Sequence, residues 1–137
     1  MAKDSKRKWI LIFILAFALN FIWENLHSFL YADYQGGKIT EFILARAALA
    51  DAAVILGMII FSRLIPFSKN RPWILILLGV IIAVLIEKWA LLTGRWQYND
   101  AMPIIPFLGI GLTPTIQLGF LGHVIHRIIF KQRYGNF

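Results

Sequence analysis

The sequence predicts an all-α integral membrane protein, one bundle of four transmembrane helices with both termini cytoplasmic, and three observations carry that prediction. Of the 137 residues, 59% are hydrophobic and only 15% are charged, with a mean hydropathy of +0.70, and a small soluble domain needs more polar residues than that to cover its surface. The apolar residues come in blocks of membrane-spanning length. Ten of the fourteen basic residues fall on one side of a four-span arrangement.

The blocks at 9–31, 42–65 and 73–92 each hold about 20 residues or more, enough to cross a hydrocarbon core of about 30 Å at 1.5 Å per residue. A fourth, 114–130, starts after Thr113 as N-cap with Pro114 as first helical residue. Lys3, Lys6, Arg7 and Lys8 precede the first helix, Arg63, Lys69 and Arg71 lie between the second and third, and Arg127, Lys131 and Arg133 close the chain. The positive-inside rule makes that side cytoplasmic, in a multi-pass protein of the inner membrane. The net charge of +7 is then a topological signal; membrane lipid is the expected partner and nucleic acid is not. A basic leader before an apolar run also resembles a signal peptide, but Trp23-Glu24-Asn25 stands where a small-residue cleavage site would. The chain reads as a single domain, 1–137, with short linkers. One internal echo, Trp9-Ile10-Leu11-Ile12 and Trp73-Ile74-Leu75-Ile76, leaves a duplication of helix pairs open.

Charged residues inside these blocks point to a site. Glu24, Arg46, Asp51 and Glu87 are all placed in or near hydrocarbon, where an ionisable group is costly unless partnered and marks function by default. Counted from the cytoplasmic end, Glu24 lies ~22 Å up the first helix and Glu87 ~21 Å up the third. Arg46, ~6 Å below the outer end of the second helix, and Gln117, in the first turn of the fourth, approach the same outer third. Asp51 falls nearer the midplane and on a different helix face from Arg46. Asn20, Glu24, His27 and Tyr31, spaced 4, 3 and 4 apart, form a polar stripe on the first helix. Such a stripe serves either as interhelical glue or as the wall of a ligand or catalytic cavity, with Arg46 a candidate counter-ion of Glu24 or Glu87.

No cofactor or metal is expected. The absence of cysteine excludes disulfides, thiolate metal sites and thiol redox chemistry. Glu24-x-x-His27 has a di-iron-like spacing, but the other pair, His123 and His126, lies toward the cytoplasmic side, out of reach of the same ion. The outer loop, 94–113, carries Arg95, Trp96, Gln97, Tyr98 and Asn99 and then a proline-broken apolar stretch. An irregular segment of this kind cannot face lipid and is expected at the outer interface, as a lid over the cavity. Trp96 and Tyr98 belong either to the interfacial aromatic belt or to a ligand site.

Glu87-x-Trp89-Ala90, Gly94-Arg95-Trp96-Gln97-Tyr98-Asn99 and Gly109-Ile110-Gly111-Leu112-Thr113-Pro114-x-x-Gln117 together resemble the small integral-membrane lycopene cyclase domain of carotenoid biosynthesis, over about a third of the chain. The resemblance implies a membrane enzyme that protonates a polyene end and closes a ring without net redox change, and it maps Glu87, Trp96 and Tyr98 onto the family's acidic and aromatic positions. The family's P-x-E-E carboxylates are replaced here by Ile116 and Gln117 after Pro114-Thr115. Gln117 cannot donate a proton to an alkene, so Glu24 or Glu87 must take that role. The expected catalytic residues are therefore Glu87 and Glu24, with Asn20, His27, Arg46, Asp51, Trp89, Arg95, Trp96, Tyr98 and Gln117 binding substrate. An apolar isoprenoid is the expected ligand, and a homodimer or membrane heteromer the expected assembly. A non-catalytic lipid or polyene binder, an assembly subunit and a small proton-coupled transporter are the alternatives.

Overall fold

A computed structural model of the chain describes residues 2–130; Lys131 and Arg133 of the cation count lie outside the described residues. Most of the chain is helical: α1 (Ala2–His27), α2 (Glu41–Leu64), the single turn α3 (Pro66–Lys69), α4 (Trp73–Leu92) and α5 (Leu112–Phe130). Local signals set the boundaries. Thr40 caps α2 by accepting the Ile43 N–H at 3.3 Å. Pro66 opens α3, and the Ser68 hydroxyl ties that turn back to the Ser62 carbonyl at 2.7 Å. At the end of α4, Gly94 takes φ +70°, Arg95 N–H reaches the Ala90 carbonyl at 2.8 Å and Gly94 N–H reaches that of Leu91 at 3.4 Å. This Schellman turn needs the left-handed conformation that glycine adopts without strain.

α1, α2 and α4 are long and apolar enough to cross a membrane. α5, at 19 residues, carries Gln117, His123, His126 and Arg127, and its polar content is tolerable because it is the most enclosed helix, with Pro114, Thr115, Gln117, Leu118, Leu121 and Ile125 buried. α1 packs along α2 and α4 along α5, whereas α2 and α4 touch sparingly. The core joins Ile12 and Ala16 of α1, Ile55 and Ile59 of α2, Leu75 and Ala83 of α4, and Leu118 and Ile125 of α5. The α4–α5 contact is backbone against backbone: a Cβ on Gly79 would run into Gly119, and one on Gly119 would lie 2.6 Å from the Ile76 carbonyl oxygen. Small residues at such a crossing permit the close approach on which membrane helix pairs rely. The outward faces are apolar, as at Ile14, Leu26, Leu64 and Leu85.

The helix ends sort by charge. Trp9 lies 6.4 Å from the Phe130 ring, the Arg63 guanidinium sits 4.4 Å over that same ring, and His123 Nδ1 is 3.2 Å from the Pro72 carbonyl oxygen. The start of α1, the end of α2, the start of α4 and the end of α5 thus share one end of the bundle, and with them the basic residues from Lys3 to Lys8, Arg63, Lys69, Arg71 and Arg127.

At the opposite end the structure corrects the expected boundaries. α1 stops at His27, so Tyr31 belongs not to the helical stripe but to strand β1 (Tyr31–Tyr34), which follows a 3-10 turn. The outer loop is not irregular: β1 pairs antiparallel with β2 (Trp96–Tyr98), in the register Tyr34 to Trp96, Asp33 to Gln97 and Tyr31 to Tyr98. Strand β3 (Ile104–Ile105) pairs with β4 (Ile110–Gly111), and α5 begins at Leu112, two residues before the expected start. The pairing supplies the backbone partners that an irregular loop lacks.

Candidate functional site

Three side chains from α1 and α2 converge on Gln117 of α5. Asn20 donates its Nδ2 to the Ala16 carbonyl at 2.7 Å, which turns Oδ1 toward α5. Gln117 Nε2 then lies 2.9 Å from Asn20 Oδ1, 2.9 Å from Glu24 Oε1 and 3.0 Å from Asp51 Oδ2. Three oxygens from α1 and α2 fix the orientation of this amide, since its own oxygen turned the same way would face only acceptors. An amide nitrogen carries two hydrogens, one short for three acceptors, so the three oxygens share them. Glu24 Oε2 continues to His27 Nε2 at 3.3 Å, and His27 Nδ1 to Thr113 Oγ1 at 3.1 Å. Thr113 Oγ1 in turn stands 3.6 Å from the Met102 sulfur. The chain of groups from Thr113 to Asp51 is continuous.

Glu87 forms the second centre. The indole N–H of Trp96 donates to its Oε2 at 3.2 Å, and the Tyr98 hydroxyl donates to the same oxygen. The Tyr98 oxygen also accepts the Gly111 N–H at 3.0 Å. Glu87 is buried, at 5% exposure, and its other oxygen makes no hydrogen bond among the described residues. Burial, and then the Glu87 carboxylate to which it donates, raise the Tyr98 phenol above its ordinary range, so that it stays protonated as a donor. Tyr31 is raised too, by burial and then by the charges of Glu87 and Glu24. Its ring stands edge-on to His27 at 5.3 Å and to Tyr98 at 5.4 Å, packing the two centres against each other.

Glu24, Asp51, Glu87 and Gln117 line one cavity of about 110 Å³, closed elsewhere by Leu44, Ala83, Ile86, Pro114 and Leu118 and bounded at its outer end by Tyr31, Asp33, Tyr34 and Trp96. It lies where α2 and α4 fail to pack. Sequence reasoning set Asp51 nearer the midplane than Glu24; the structure brings the two to one amide.

Arg46 is the main correction. It is not the counter-ion of Glu24 or Glu87; it projects from the exposed face of α2 and donates to the Tyr34 hydroxyl at 2.7 Å, because the five-residue offset from Asp51, about 140° around the helix, turns it out of the bundle. Trp89 is 52% exposed on the outside of α4, with the Arg95 guanidinium 5.3 Å from its ring, so neither Trp89 nor Arg95 faces the carboxylates. Tyr34 and Asp33 of the wall were missed. Only the turn after them was legible, in Gln35-Gly36-Gly37. Among the described residues no three His, Asp or Glu side chains gather as metal ligands.

Compared with known protein families, curated proteins and solved structures, the chain matches none.

Proposed function

We propose that this chain is a four-span protein of the cytoplasmic membrane, with both termini cytoplasmic, whose outer-third cavity carries out acid–base chemistry on one end of an apolar isoprenoid, as in lycopene cyclase-like ring closure. The observation that carries the reading is the convergence of Glu24, Asp51 and Glu87, from three different helices, on one largely apolar cavity. Packing alone does not require three carboxylates there.

The geometry divides the work. The Glu24–Asp51–Gln117 cluster holds a proton for an alkene carbon, whose π electrons form the new C–H bond and leave a cation on the neighbouring carbon. Attack by a second double bond closes the ring, and loss of a proton to a carboxylate restores neutrality, so no oxidant enters. Glu87, anchored by Trp96 and Tyr98 through one oxygen, presents the other as the electrostatic partner of the cation and the base that ends the reaction. Of the two expected acids, Glu24 takes the role, paired with Asp51.

About 110 Å³ is far below the ~300–1,000 Å³ of a site that encloses a drug-sized ligand. The cavity admits an end only; the remainder of a long chain lies along the α2–α4 gap, in lipid or against a second subunit. Expression in a strain that accumulates lycopene, followed by chromatography of the pigments, tests the reading. Cyclised product should form, vanish in Glu87→Gln and Asp51→Asn, and persist in Asp100→Asn. Unchanged pigments, with no isoprenoid copurifying, would remove it.

The unbroken path Thr113–His27–Glu24–Gln117–Asp51 favours a second reading, a proton-coupled transporter. Its signature is pH-driven flux in liposomes that is lost in His27→Gln.

A further inference from the structure

The rim of the cavity carries the opposite charge to its interior. Tyr34, part of the cavity wall, is the hub: the guanidiniums of Arg46 and Arg95 each lie 5.6 Å from its ring centroid. They are therefore no more than about 11 Å apart. Trp96 stacks on the same ring at 6.5 Å and 24°. Aromatic faces hold both cations in place, yet little of their hydrogen-bonding capacity is used. Arg46 gives one N–H to the Tyr34 hydroxyl, Arg95 donates to no acceptor among the described residues, and neither meets a carboxylate at ion-pair distance there.

Two fixed planar forks with free N–H groups are the donor set that phosphate oxygens take up bidentately. Apolar surface adjoins them: Phe42 is 74% exposed, and Ile39 and Ile43 line the cavity edge. Deeper entry of an anion is opposed by Asp33, whose carboxylate accepts the Gly36 N–H at 3.1 Å, and by Glu24, Asp51 and Glu87 behind it. A negatively charged group stays at the rim. We infer that Arg46 and Arg95 form a binding site for the phosphate of an amphiphile, its chain lying along the α2–α4 face. The site stands apart from the acid–base chemistry proposed above and would persist if Glu87 proved inert.

Native mass spectrometry of the full chain in a neutral detergent tests it, with phosphatidic acid set against diacylglycerol of the same chains, so that the phosphate is the only difference. Phosphatidic acid should be retained about tenfold more tightly or better, a preference of about 1.4 kcal/mol or more. The double variant Arg46→Gln/Arg95→Gln should abolish the preference. Arg46→Lys/Arg95→Lys keeps the charge and the fold but loses the fork, and should forfeit most of it, whereas non-specific attraction to anionic lipid would leave it intact. Equal retention of the two lipids by the wild type, which needs no variant to fold, would overturn the site, as would full preference in either double variant. Inorganic diphosphate binding as tightly as phosphatidic acid would overturn the amphiphile and leave a soluble phosphate in its place.

Discussion

Replacing Gln117 with leucine removes the one side-chain donor that α1 and α2 share among the described residues. Two N–H groups serve three oxygens, of Asn20, Glu24 and Asp51, at 2.9, 2.9 and 3.0 Å. Interhelical hydrogen bonds in membrane bundles average about 0.6 kcal/mol and reach about 1.7, while bonds to ionised groups run to about 1.5–3. With two hydrogens lost, at least one of them directed at a carboxyl, the expected cost is about 2–4 kcal/mol. The added apolar bulk offsets part of this, and water entering the adjoining cavity of about 110 Å³ offsets more, so the lower half of that range is the expectation. Unfolding of the purified protein by titration with a denaturing detergent reads the loss directly. A cycle with Asn20→Leu isolates the coupling, expected at about 0.5–3 kcal/mol for residues in contact. Wild-type stability in Gln117→Leu, or additivity with Asn20→Leu, would refute the idea that this amide organises the cluster.

Gly119→Ala should destabilise by about 1–3 kcal/mol or force α4 and α5 apart, because its Cβ would lie 2.6 Å from the Ile76 carbonyl oxygen, whereas Gly122→Ala, with Met58 Cε at 3.5 Å, should be near neutral; thermal melts in detergent compare them. Tyr98 has a folded pKa raised above its unfolded value of about 10. Its contribution is therefore complete below about pH 10 and declines as pH rises above it, so melting should hold up to about pH 10 and fall above it, less steeply in Tyr98→Phe; equal slopes would contradict the burial and the Glu87 bond. Single cysteines at Ser5 and Asn70 should resist an impermeant thiol reagent in intact cells while one at Asp100 reacts, and the reverse pattern would invert the topology.

The sequence by itself determined the apolar helices and the carboxylates that lie within them. Run length and hydropathy placed α2 to within a residue at each end and gave α4 at its observed bounds, because a helix that must satisfy its backbone in an apolar setting leaves a long, uniform signal. The common depth of Glu24 and Glu87 followed from rise per residue alone. The two glutamates do line one cavity, and eight of the twelve lysines and arginines among the described residues gather at one end. What periodicity cannot give is the rotation and spacing of helices about one another. Gln117 looked like a lost carboxylate, and only its position opposite Asn20, Glu24 and Asp51 shows what the amide holds. Arg46 and Asp51 are five residues apart, and whether either meets a glutamate depended on which face of α2 turned inward. The pairing of β1 with β2, which carries Trp96 and Tyr98 onto Glu87, joins segments some 60 residues apart through strands too short to register as elements in the sequence. Contacts of that range are set by how the α1–α2 and α4–α5 pairs dock, and that docking rests on the packing of α5 against α1 and α2 around Ile12, Ile55, Leu118 and Ile125, a fact of three dimensions that no single stretch of residues records.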